Sequence, residues 1–424
     1  MNQGSDVLVI GAGVIGAATA YFAARQGLSV TVIDKGLPAS GTSSACEGNI
    51  LVSDKELGPE LELTRYSLGV WHQDLGEHKK LWEFESKGGI IVASRESSLA
   101  SLNRVMAVQT GYGVAVEELD QDALREAEPH ISREALGGAS YSEDCQVQPM
   151  LVAAHLVRLA TEAGARFLAD TPVTGFLRSG SSSSGSSRSG SSSSGSAANG
   201  GRVTGVKTPR GDFFADAVVN CTGTWAGELA ALAGVSVPVL PRRGFVMVTE
   251  PLPPMVHHKV YAAEYIDNVG SSDAGLQGSP VVEGTPSGTI LIGSTRERVG
   301  FDRTVSTDAL SLLARNSTAL FPFLKHVKAI RHYHGFRPYC PDHLPVIGHD
   351  ERAPGLWHAA GHEGAGIGLS AGTGKLLAQA LLGQTPDLDL SPFAPARFGE
   401  LPASEPAHHS TSPQSAEHRE EATA

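Results

Sequence analysis

Short apolar runs that lead into glycines and then into longer apolar stretches stand near both ends of the chain. Residues 6–35 (DVLVIGAGVIGAATAYFAARQGLSVTVIDK) follow the pattern strand, glycine turn, helix and strand, and Asp34 closes the second strand. Residues 355–383 (GLWHAAGHEGAGIGLSAGTGKLLAQALLG) repeat strand, glycine turn and helix. The continuous apolar run Val7–Ile10 is typical of a parallel strand covered on both faces. The two segments therefore predict two halves of one nucleotide-binding site.

The first glycine turn has the residue types that binding of a dinucleotide requires. Gly11, Gly13 and Gly16 permit a tight turn, close approach of the backbone to a pyrophosphate, and close packing of helix on strand. The helix that follows directs its unpaired amides at the phosphates, and Asp34 can accept hydrogen bonds from ribose hydroxyls. An ordinary glycine turn is the alternative. A nicotinamide dehydrogenase needs only this element, whereas a protein that wraps a whole FAD needs both, so the pair predicts FAD.

The middle of the chain alternates between two patterns. Leu151–Ala163 predicts a helix, and Ala217–Val219 predicts a buried strand that leads into a small-residue turn. By contrast, Leu240–Glu250 and Lys259–Gly293 show the alternation and turn residues of an antiparallel sheet. The predicted fold class is α/β (α+β), with a Rossmann-like FAD-binding domain interleaved with an antiparallel-sheet substrate domain. We expect the active site between the two.

The domain boundaries follow from these patterns and from two low-complexity segments. Ser/Gly-rich residues 179–201 interrupt a predicted hairpin between Thr171–Leu177 and Arg202–Thr208, and we expect them to be disordered. The Pro-, Ser- and His-rich tail at 401–424 is expected to be disordered too. The FAD-binding domain is predicted to comprise residues 1–83, 143–235 and 330–395, and the substrate domain residues 84–142 and 236–329.

Composition excludes several classes of partner. A formal net charge of -12 gives no electrostatic case for nucleic acid or anionic membranes. No apolar stretch approaches the length of a transmembrane segment, and the first strand begins too early for a signal peptide. The four cysteines are scattered without metal-ligand spacing, so we expect free thiols, no metal site and a cytoplasmic protein.

Five motifs in order resemble the D-amino-acid oxidase superfamily over nearly the whole chain. They are GAGVIG, SGTSSACEGN (Ser40–Asn49), NCTGTWAG, GFRPYCPDHLPVIG (Gly335–Gly348) and GHEGAGIGLSAGTG (Gly361–Gly374). Within the superfamily the chain is most similar to the glycine oxidase, sarcosine oxidase and hydroxyproline dehydrogenase branch. Residues 45–63 (ACEGNILVSDKELGPELEL) resemble flavoprotein subunits of hydrogen cyanide synthase, opine oxidase and D-hydroxyproline dehydrogenase.

The resemblance implies which residues hold FAD. They come from the three glycine turns and the segments between them: Gly11, Gly13, Val14, Ile15, Gly16, Asp34, Lys35, Thr42, Ser43, Ala45, Val173, Thr222, Gly223, Trp225, Gly361, Gly364, Gly366, Ile367 and Gly368. Sarcosine oxidase relatives attach flavin to a cysteine five residues before a Thr-Pro-Asp motif. Here that position is Gly335, and Cys340 replaces the threonine, so we predict noncovalent FAD.

The resemblance also implies a substrate site centred on Arg337, whose planar fork would bind a substrate carboxylate. The alternative is a structural arginine that pairs with Asp342. Weaker candidates are Tyr339, which could add a hydroxyl to the substrate site or could simply pack, and Tyr261 and Tyr265 as lid or wall residues. Glu47 could meet the substrate amine or cap a helix, and His362 could lie beside the flavin or satisfy a carbonyl. Arg242 and Arg243 are expected to be a solvated pair, and the alternative is that they face a second cofactor or a partner.

The expected reaction is oxidation of a small amino acid, namely glycine, an N-alkyl glycine, a proline-like or a D-amino acid. The α-carbon would give a hydride to flavin N5, and the resulting imine would hydrolyse. No side chain stands out as an essential acid or base. One alternative is a flavin-bound subunit of a heteromeric dehydrogenase that is inactive alone and passes electrons to a partner subunit. A weaker alternative is a nicotinamide-dependent dehydrogenase.

Overall fold

The structure is a computed structural model that describes residues 4–179, 201–264 and 270–399. The candidate substrate residue Tyr265, nearly all of the Ser/Gly-rich segment and the tail at 401–424 lie outside the described residues.

The elements alternate along the chain much as the sequence pattern predicts. The strands are β1 (Ser5–Ile10), β2 (Val30–Ile33), β3 (Asn49–Ile50), β4 (Gly89–Ala93), β5 (Val116–Leu119), β6 (Gly137–Tyr141), β7 (Cys145–Gln146), β8 (Arg166–Leu168), β9 (Gly175–Arg178), β10 (Val203–Thr208), β11 (Gly211–Asn220), β12 (Leu240–Thr249), β13 (Lys259–Ala262), β14 (Gln277–Gly284), β15 (Ile290–Arg296), β16 (Ala329–Tyr339), β17 (Val346–His349) and β18 (Leu356–Ala360). The helices are α1 (Val14–Arg25), α2 (Pro59–Gln73), α3 (Glu96–Gly111), α4 (Gln121–Ala127), α5 (Pro149–Glu162), α6 (Ala226–Leu232), α7 (Thr307–Leu320) and α8 (Gly366–Leu381).

The first sheet joins the two ends of the chain. Its main path runs β17-β18-β11-β1-β2-β8, and every neighbouring pair in it is parallel except β17 with β18. The strand β2 follows the first glycine turn, and β18 precedes the last one. Both therefore lie in one sheet, on opposite sides of β1. This arrangement confirms the predicted Rossmann-like unit, because it brings both glycine turns to the same edge.

Helices cover this sheet through close backbone contacts. The N-terminal helix α1 packs against α5 and α8, and α2 packs against α8. At Gly374 an added Cβ would lie 2.6 Å from the carbonyl carbon of Ala18, so the glycine is what lets α8 approach α1 this closely. Nearly every residue of α1 is buried, as expected for a helix enclosed on several sides. Among the residues described, no helix combines the length and apolar composition needed to cross a membrane.

The second sheet has the strand order β16-β12-β15-β14-β13-β4-β6-β5. All of its pairs are antiparallel except β13 with β4, which confirms the predicted antiparallel sheet. Arg242 and Arg243 lie in β12 and are 1% and 5% exposed, so the prediction of a solvated pair is wrong. The strand is covered by β16 on one side and β15 on the other, and Arg243 binds Glu297 at 2.9 Å and Asp302 at 2.8 Å.

Two details differ from the sequence-based boundaries. The hairpin around the Ser/Gly-rich segment forms, but its first strand begins at Gly175 rather than Thr171. The strand β16 pairs with β12 over nearly its whole length, so residues 330–339 belong to the second sheet, although the predicted boundary at 330 assigns them to the FAD-binding domain. The division into domains otherwise stays a prediction.

Candidate active site

A cavity of about 500 Å³ opens where the parallel strands of the first sheet end. Ile10 ends β1, Asp34 follows β2, Cys221 follows β11 and Ala360 ends β18, and all four line it. Ligands of open α/β sheets bind in this place, outside the carboxyl ends of the strands. Most of the residues predicted to hold FAD line this cavity: Gly11, Gly13, Val14, Ile15, Asp34, Lys35, Thr42, Ser43, Val173, Thr222, Gly223, Trp225, Gly364, Gly366 and Ile367.

The centre of the cavity is a cradle of backbone atoms. Gly11 has φ +108, and an added Cβ there would lie 2.5 Å from the carbonyl oxygen of Cys221. The amide of Val14, in the first turn of α1, donates to Ser43 Oγ at 3.0 Å. The glycines expose first-turn amides that no side chain on α1 itself caps. Such amides carry the positive end of the helix dipole, so this wall fits a pyrophosphate.

Asp34 organises the loop around the predicted phosphate site. Its Oδ2 accepts from the amide of Ala12 at 2.6 Å and its Oδ1 from the amide of Gly36 at 2.8 Å. Each carboxylate oxygen retains a further lone pair, so the carboxylate can also accept from a ribose hydroxyl. Its position beside the cavity agrees with the predicted role, and the two backbone contacts are an addition that sequence could not show.

The end of the cavity where the adenosine of FAD is predicted to bind carries an aromatic and cationic wall. Lys35 Nζ lies 3.5 Å from the centroid of the Trp225 ring, and Trp225 stacks on Phe301 with centroids 5.5 Å apart. Burial lowers the pKa of Lys35. Arg303, which the sequence analysis does not single out, also lines this cavity. A cation over an aromatic ring beside the phosphate cradle suits a bound nucleotide anion.

At the other end, the last glycine turn brings His362 and the start of α8 to the cavity. His362 is 3% exposed, and its Nε2 lies 3.1 Å from Thr373 Oγ1. Its Nδ1 has no hydrogen-bond partner among the described residues. Burial lowers the pKa of His362 to about 3, so the ring is neutral at physiological pH. The contact with Thr373 replaces the backbone-carbonyl contact that the sequence analysis gives as the alternative.

A second cavity of about 380 Å³ adjoins the first. Arg337, His362, Glu363 and Gly364 line both. Arg337 Nη1 donates to the carbonyl of Thr295 at 2.8 Å, which fixes the guanidinium at the junction. The structural alternative for Arg337 fails, because Asp342 binds Arg397 at 2.7 Å instead.

Glu47 lies in the main cavity wall on a loop between β2 and β3. It is 5% exposed, and its Oε1 has no hydrogen-bond partner among the described residues. The loop is fastened to β16, since Thr42 Oγ1 donates to the carbonyl of Phe336 at 2.6 Å and Tyr333 Oη donates to the carbonyl of Cys46 at 3.3 Å. Burial raises the pKa of Glu47. The helix-cap alternative is not seen.

Several predicted residues lie outside both cavities. Tyr261 is fully buried, and its hydroxyl donates to Asp144 Oδ2 at 2.6 Å. Tyr339 is 2% exposed, and its hydroxyl donates to Ser272 Oγ at 3.3 Å. Tyr261 is therefore an interior contact rather than a wall residue, and for Tyr339 the structure shows the packing alternative. Gly16, Ala45, Gly361 and Gly368 also do not line the main cavity.

Two charged residues near the junction, Glu363 and Arg296, are not predicted from the sequence, and a third, Arg242, is predicted to be solvated. Glu363 lies inside the GHEGAG motif, and its Oε1 accepts from the amide of Cys340 at 3.2 Å and lies 3.1 Å from His343 Nδ1. Arg296 ends β15 and lines the second cavity. Arg242 Nη1 lies 3.9 Å from Glu363 Oε2. Only the motif around Glu363 is a sequence signal, because isolated arginines in strands carry none.

The protein-family description "FAD dependent oxidoreductase" matches residues 6–380. The chain belongs to this D-amino-acid oxidase family. It is therefore an FAD-dependent oxidoreductase, and the predictions of family, cofactor and enzyme class are confirmed. The match also decides between the two cofactors considered from the sequence, in favour of FAD over a nicotinamide. Noncovalent attachment stays a prediction.

The chain resembles several proteins over nearly its full length. It is 28% identical to hydrogen cyanide synthase subunit HcnC of Pseudomonas protegens, over 94% of this chain and 97% of that protein. It is 31% identical to glycine oxidase of Geobacillus kaustophilus, over 94% of this chain and 98% of that protein. The crystal structure of glycine oxidase from Geobacillus kaustophilus superposes with a TM-score of 0.80 at 27% identity, covering 93% of this chain and 98% of that one.

Proposed function

We propose that the protein oxidises the CH–NH bond of a small amino acid to an imine, which water then hydrolyses. Candidate substrates are glycine, N-alkyl glycines, proline-like amino acids and D-amino acids. The observation that carries the proposal is Arg337 at the junction of the nucleotide cavity and the second cavity. A guanidinium there can bind a carboxylate by two charge-assisted hydrogen bonds and orient the α-carbon. The resemblance to glycine oxidase and HcnC supports an amino acid as the substrate.

In this proposal the chain's own residues hold the reactants and exclude water. The glycine cradle, Asp34 and Lys35 would hold the nucleotide half of FAD, and Gly364, Gly366 and Ile367 the flavin half. When bound, FAD supplies the acceptor for the hydride that leaves the α-carbon. Arg337 positions the substrate, and the neutral His362 adds no competing positive charge. Positioning within a desolvated cavity then supplies much of the rate.

The test is anaerobic titration of the purified, FAD-loaded protein with glycine, sarcosine, proline, hydroxyproline and D-amino acids. We expect at least one of them to bleach the flavin absorbance, and the one that does so defines the substrate class. Admitting air afterwards shows whether oxygen reoxidises the flavin. Failure of all the amino acids to bleach the protein, either alone or with a co-purified partner, would contradict the proposal.

A second candidate is a flavin-bound subunit of a heteromeric dehydrogenase that needs its partner for turnover. The observation that favours it is full-length similarity to HcnC proteins of two Pseudomonas species, whose names mark them as subunits. In this case an amino acid bleaches the flavin, oxygen reoxidises it slowly, and steady turnover appears only when a partner or an artificial electron acceptor is added. Rapid reoxidation by air and full turnover of the isolated chain would favour a self-sufficient oxidase.

A further inference from the structure

We propose that Glu47 is the base that takes a proton from the substrate's ammonium group before the amino acid is oxidised. The inference rests on the proposed function and assigns a catalytic residue where the sequence analysis identifies none as essential.

The first support is the position of Glu47. Its carboxylate lies in the wall of the cavity that Arg337 also lines, and it is 5% exposed. Gly293 of β15 leaves the space for it, since an added Cβ there would collide with the carboxylate of Glu47. A buried carboxylate without a hydrogen-bond donor is costly, and Oε1 has none among the described residues. A ligand that brings a donor into the cavity would relieve this cost.

The second support is the chemistry of the neighbouring cation. In an α-amino acid a single carbon separates the carboxylate from the ammonium group. A substrate whose carboxylate binds Arg337 therefore presents its ammonium protons close by, in a cavity where Glu47 is a carboxylate with an unused acceptor. The carbonyl of Thr295 accepts from Nη1 of Arg337, and the guanidinium has further N–H donors for a substrate carboxylate. Arg337 can thus bind the carboxylate of a zwitterionic amino acid, and Glu47 its ammonium group.

Lys259, a lysine close to Glu47, does not supply the hydrogen bond that Glu47 Oε1 lacks. Lys259 of β13 is 1% exposed, and its Nζ donates to Glu283 of β14 and to Asn49. Burial lowers the pKa of Lys259 to about 7. Its charge acts on Glu47 through space, and so do the charges of Arg337 and Arg296, each of which opposes the rise in the pKa of Glu47 that burial causes.

The remaining titratable groups beside Glu47 are neutral. Burial raises the pKa of the Cys46 thiol to about 12. Burial also raises the pKa of Tyr333, on β16, and Glu47 adds to that rise. Neither the thiol nor the phenol ionises between pH 5 and pH 9, whereas Lys259, with a pKa of about 7, changes its charge within that range. The groups that face it from β13, β15 and β16 are thus one lysine, two arginines and a tyrosine.

The proton transfer is balanced and requires no further reactant. The ammonium N–H bond breaks, its electron pair stays on nitrogen, and an O–H bond forms on Glu47. The lone pair that remains on nitrogen is what forms the C=N bond when the α-carbon loses its hydride. Burial raises the pKa of Glu47 toward that of the ammonium group and so makes the transfer less uphill. Positioned bases of this kind contribute about 10²- to 10⁴-fold to rate.

The decisive experiment is the pH dependence of anaerobic flavin reduction in wild type, Glu47→Gln and Glu47→Asp. We expect Glu47→Gln to reduce flavin about 10²- to 10⁴-fold more slowly at neutral pH, and the deficit to shrink above the pKa of the substrate's ammonium group, where free amine enters directly. Glu47→Asp should recover part of the rate and keep the wild-type shape of the profile. Glu118→Gln, on the exposed face of β5, is the matched control.

A binding measurement separates this role from a general loss of activity. The probes are 2-aminoisobutyrate, which has an ammonium group but no α-hydrogen, and isobutyrate, which lacks the nitrogen. Glu47→Gln should bind 2-aminoisobutyrate about 10- to 100-fold more weakly than wild type, because a charge-assisted hydrogen bond is lost, and isobutyrate equally well.

Each outcome of these experiments decides the matter. A deficit that is the same at every pH, an unchanged rate, or loss of FAD from both Glu47 variants would overturn the inference in favour of a structural carboxylate. A wild-type flavin that no amine reduces would instead contradict the proposed function, while the comparison of 2-aminoisobutyrate with isobutyrate would still report whether Glu47 meets an ammonium group.

Discussion

The proposed nucleotide half and the proposed substrate half of the cavity are built from different materials. The nucleotide half is backbone: Gly11, Gly13 and the first-turn amides of α1 meet the carboxyl ends of parallel strands. The substrate half is side chains, and its main groups, Glu47 and Arg337, come from segments far apart in the sequence. A backbone site needs contiguous residues with special geometry, whereas a side-chain site needs only that distant strands meet. The first kind can therefore be recognised within one short segment, whereas the roles of Arg337 and Glu47 are implied only by the resemblance to a family.

The largest effect on the nucleotide half is expected from Gly11→Ala, which should reduce both stability and FAD binding. The left-handed φ of +108 and the 2.5 Å approach to the carbonyl oxygen of Cys221 leave no room for a Cβ. Strain and overpacking together should cost about 2–6 kcal/mol in the free energy of unfolding and displace the turn that meets the pyrophosphate. We expect a protein that purifies without yellow colour, measured by the ratio of visible to ultraviolet absorbance.

Gly27→Ala is the matched control for that change. Gly27 has φ +91, but an added Cβ would have nothing within 4 Å. This variant carries the strain without the collision and lies away from the cavity, so it should lose some stability and keep its FAD. If both variants bind FAD as wild type does, the cradle at Gly11 does not hold the cofactor.

The substrate half is tested by Arg337→Lys, which keeps the positive charge but removes the planar guanidinium and its paired N–H donors. Losing a bidentate partner of a buried carboxylate should cost about 2–5 kcal/mol, or roughly 30- to 5000-fold in kcat/KM for the best amino acid. FAD content should not change, because the nucleotide cradle does not involve this residue. Arg331→Lys, at the exposed start of the same strand, is the control. Equal kcat/KM for Arg337→Lys and wild type would show that the guanidinium of Arg337 does not bind the substrate carboxylate.

The same division explains what could be predicted from sequence. The glycine turns and Asp34 follow from local pattern, because each is specified within one short segment. The two tyrosines fail for the opposite reason. The hydroxyl of Tyr261 is held by Asp144, a residue that reaches it only after β13, β4 and β6 have paired. Burial of Arg242 likewise depends on β15 and β16 lying on both sides of β12.

A milder test of the nucleotide half is Lys35→Met, which removes the cation over Trp225 but keeps an apolar stem of similar length. A cation–π contact is worth about 0.5–2 kcal/mol, so we expect FAD affinity to fall roughly 2- to 30-fold while the bound enzyme keeps its kcat. Affinity is measured by equilibrium dialysis of apoprotein with FAD. Lys80→Met, at an exposed lysine, is the control. A change in kcat without a change in FAD affinity would show that Lys35 acts on the substrate rather than on the nucleotide.

The smallest effect is expected where neither half of the cavity is touched, at the Ser/Gly-rich segment. Its two ends already meet: the amide of Ser179 donates to the carbonyl of Arg202 at 2.9 Å, and Arg178 pairs with Val203 across the hairpin. Replacing residues 180–200 with Asn-Gly should therefore leave β9 and β10 paired. Because loop-closure entropy grows slowly with length, the free energy of unfolding should change by no more than about 2 kcal/mol. FAD content and kcat/KM should match wild type, and a marked loss of either would show that this segment contributes to the site.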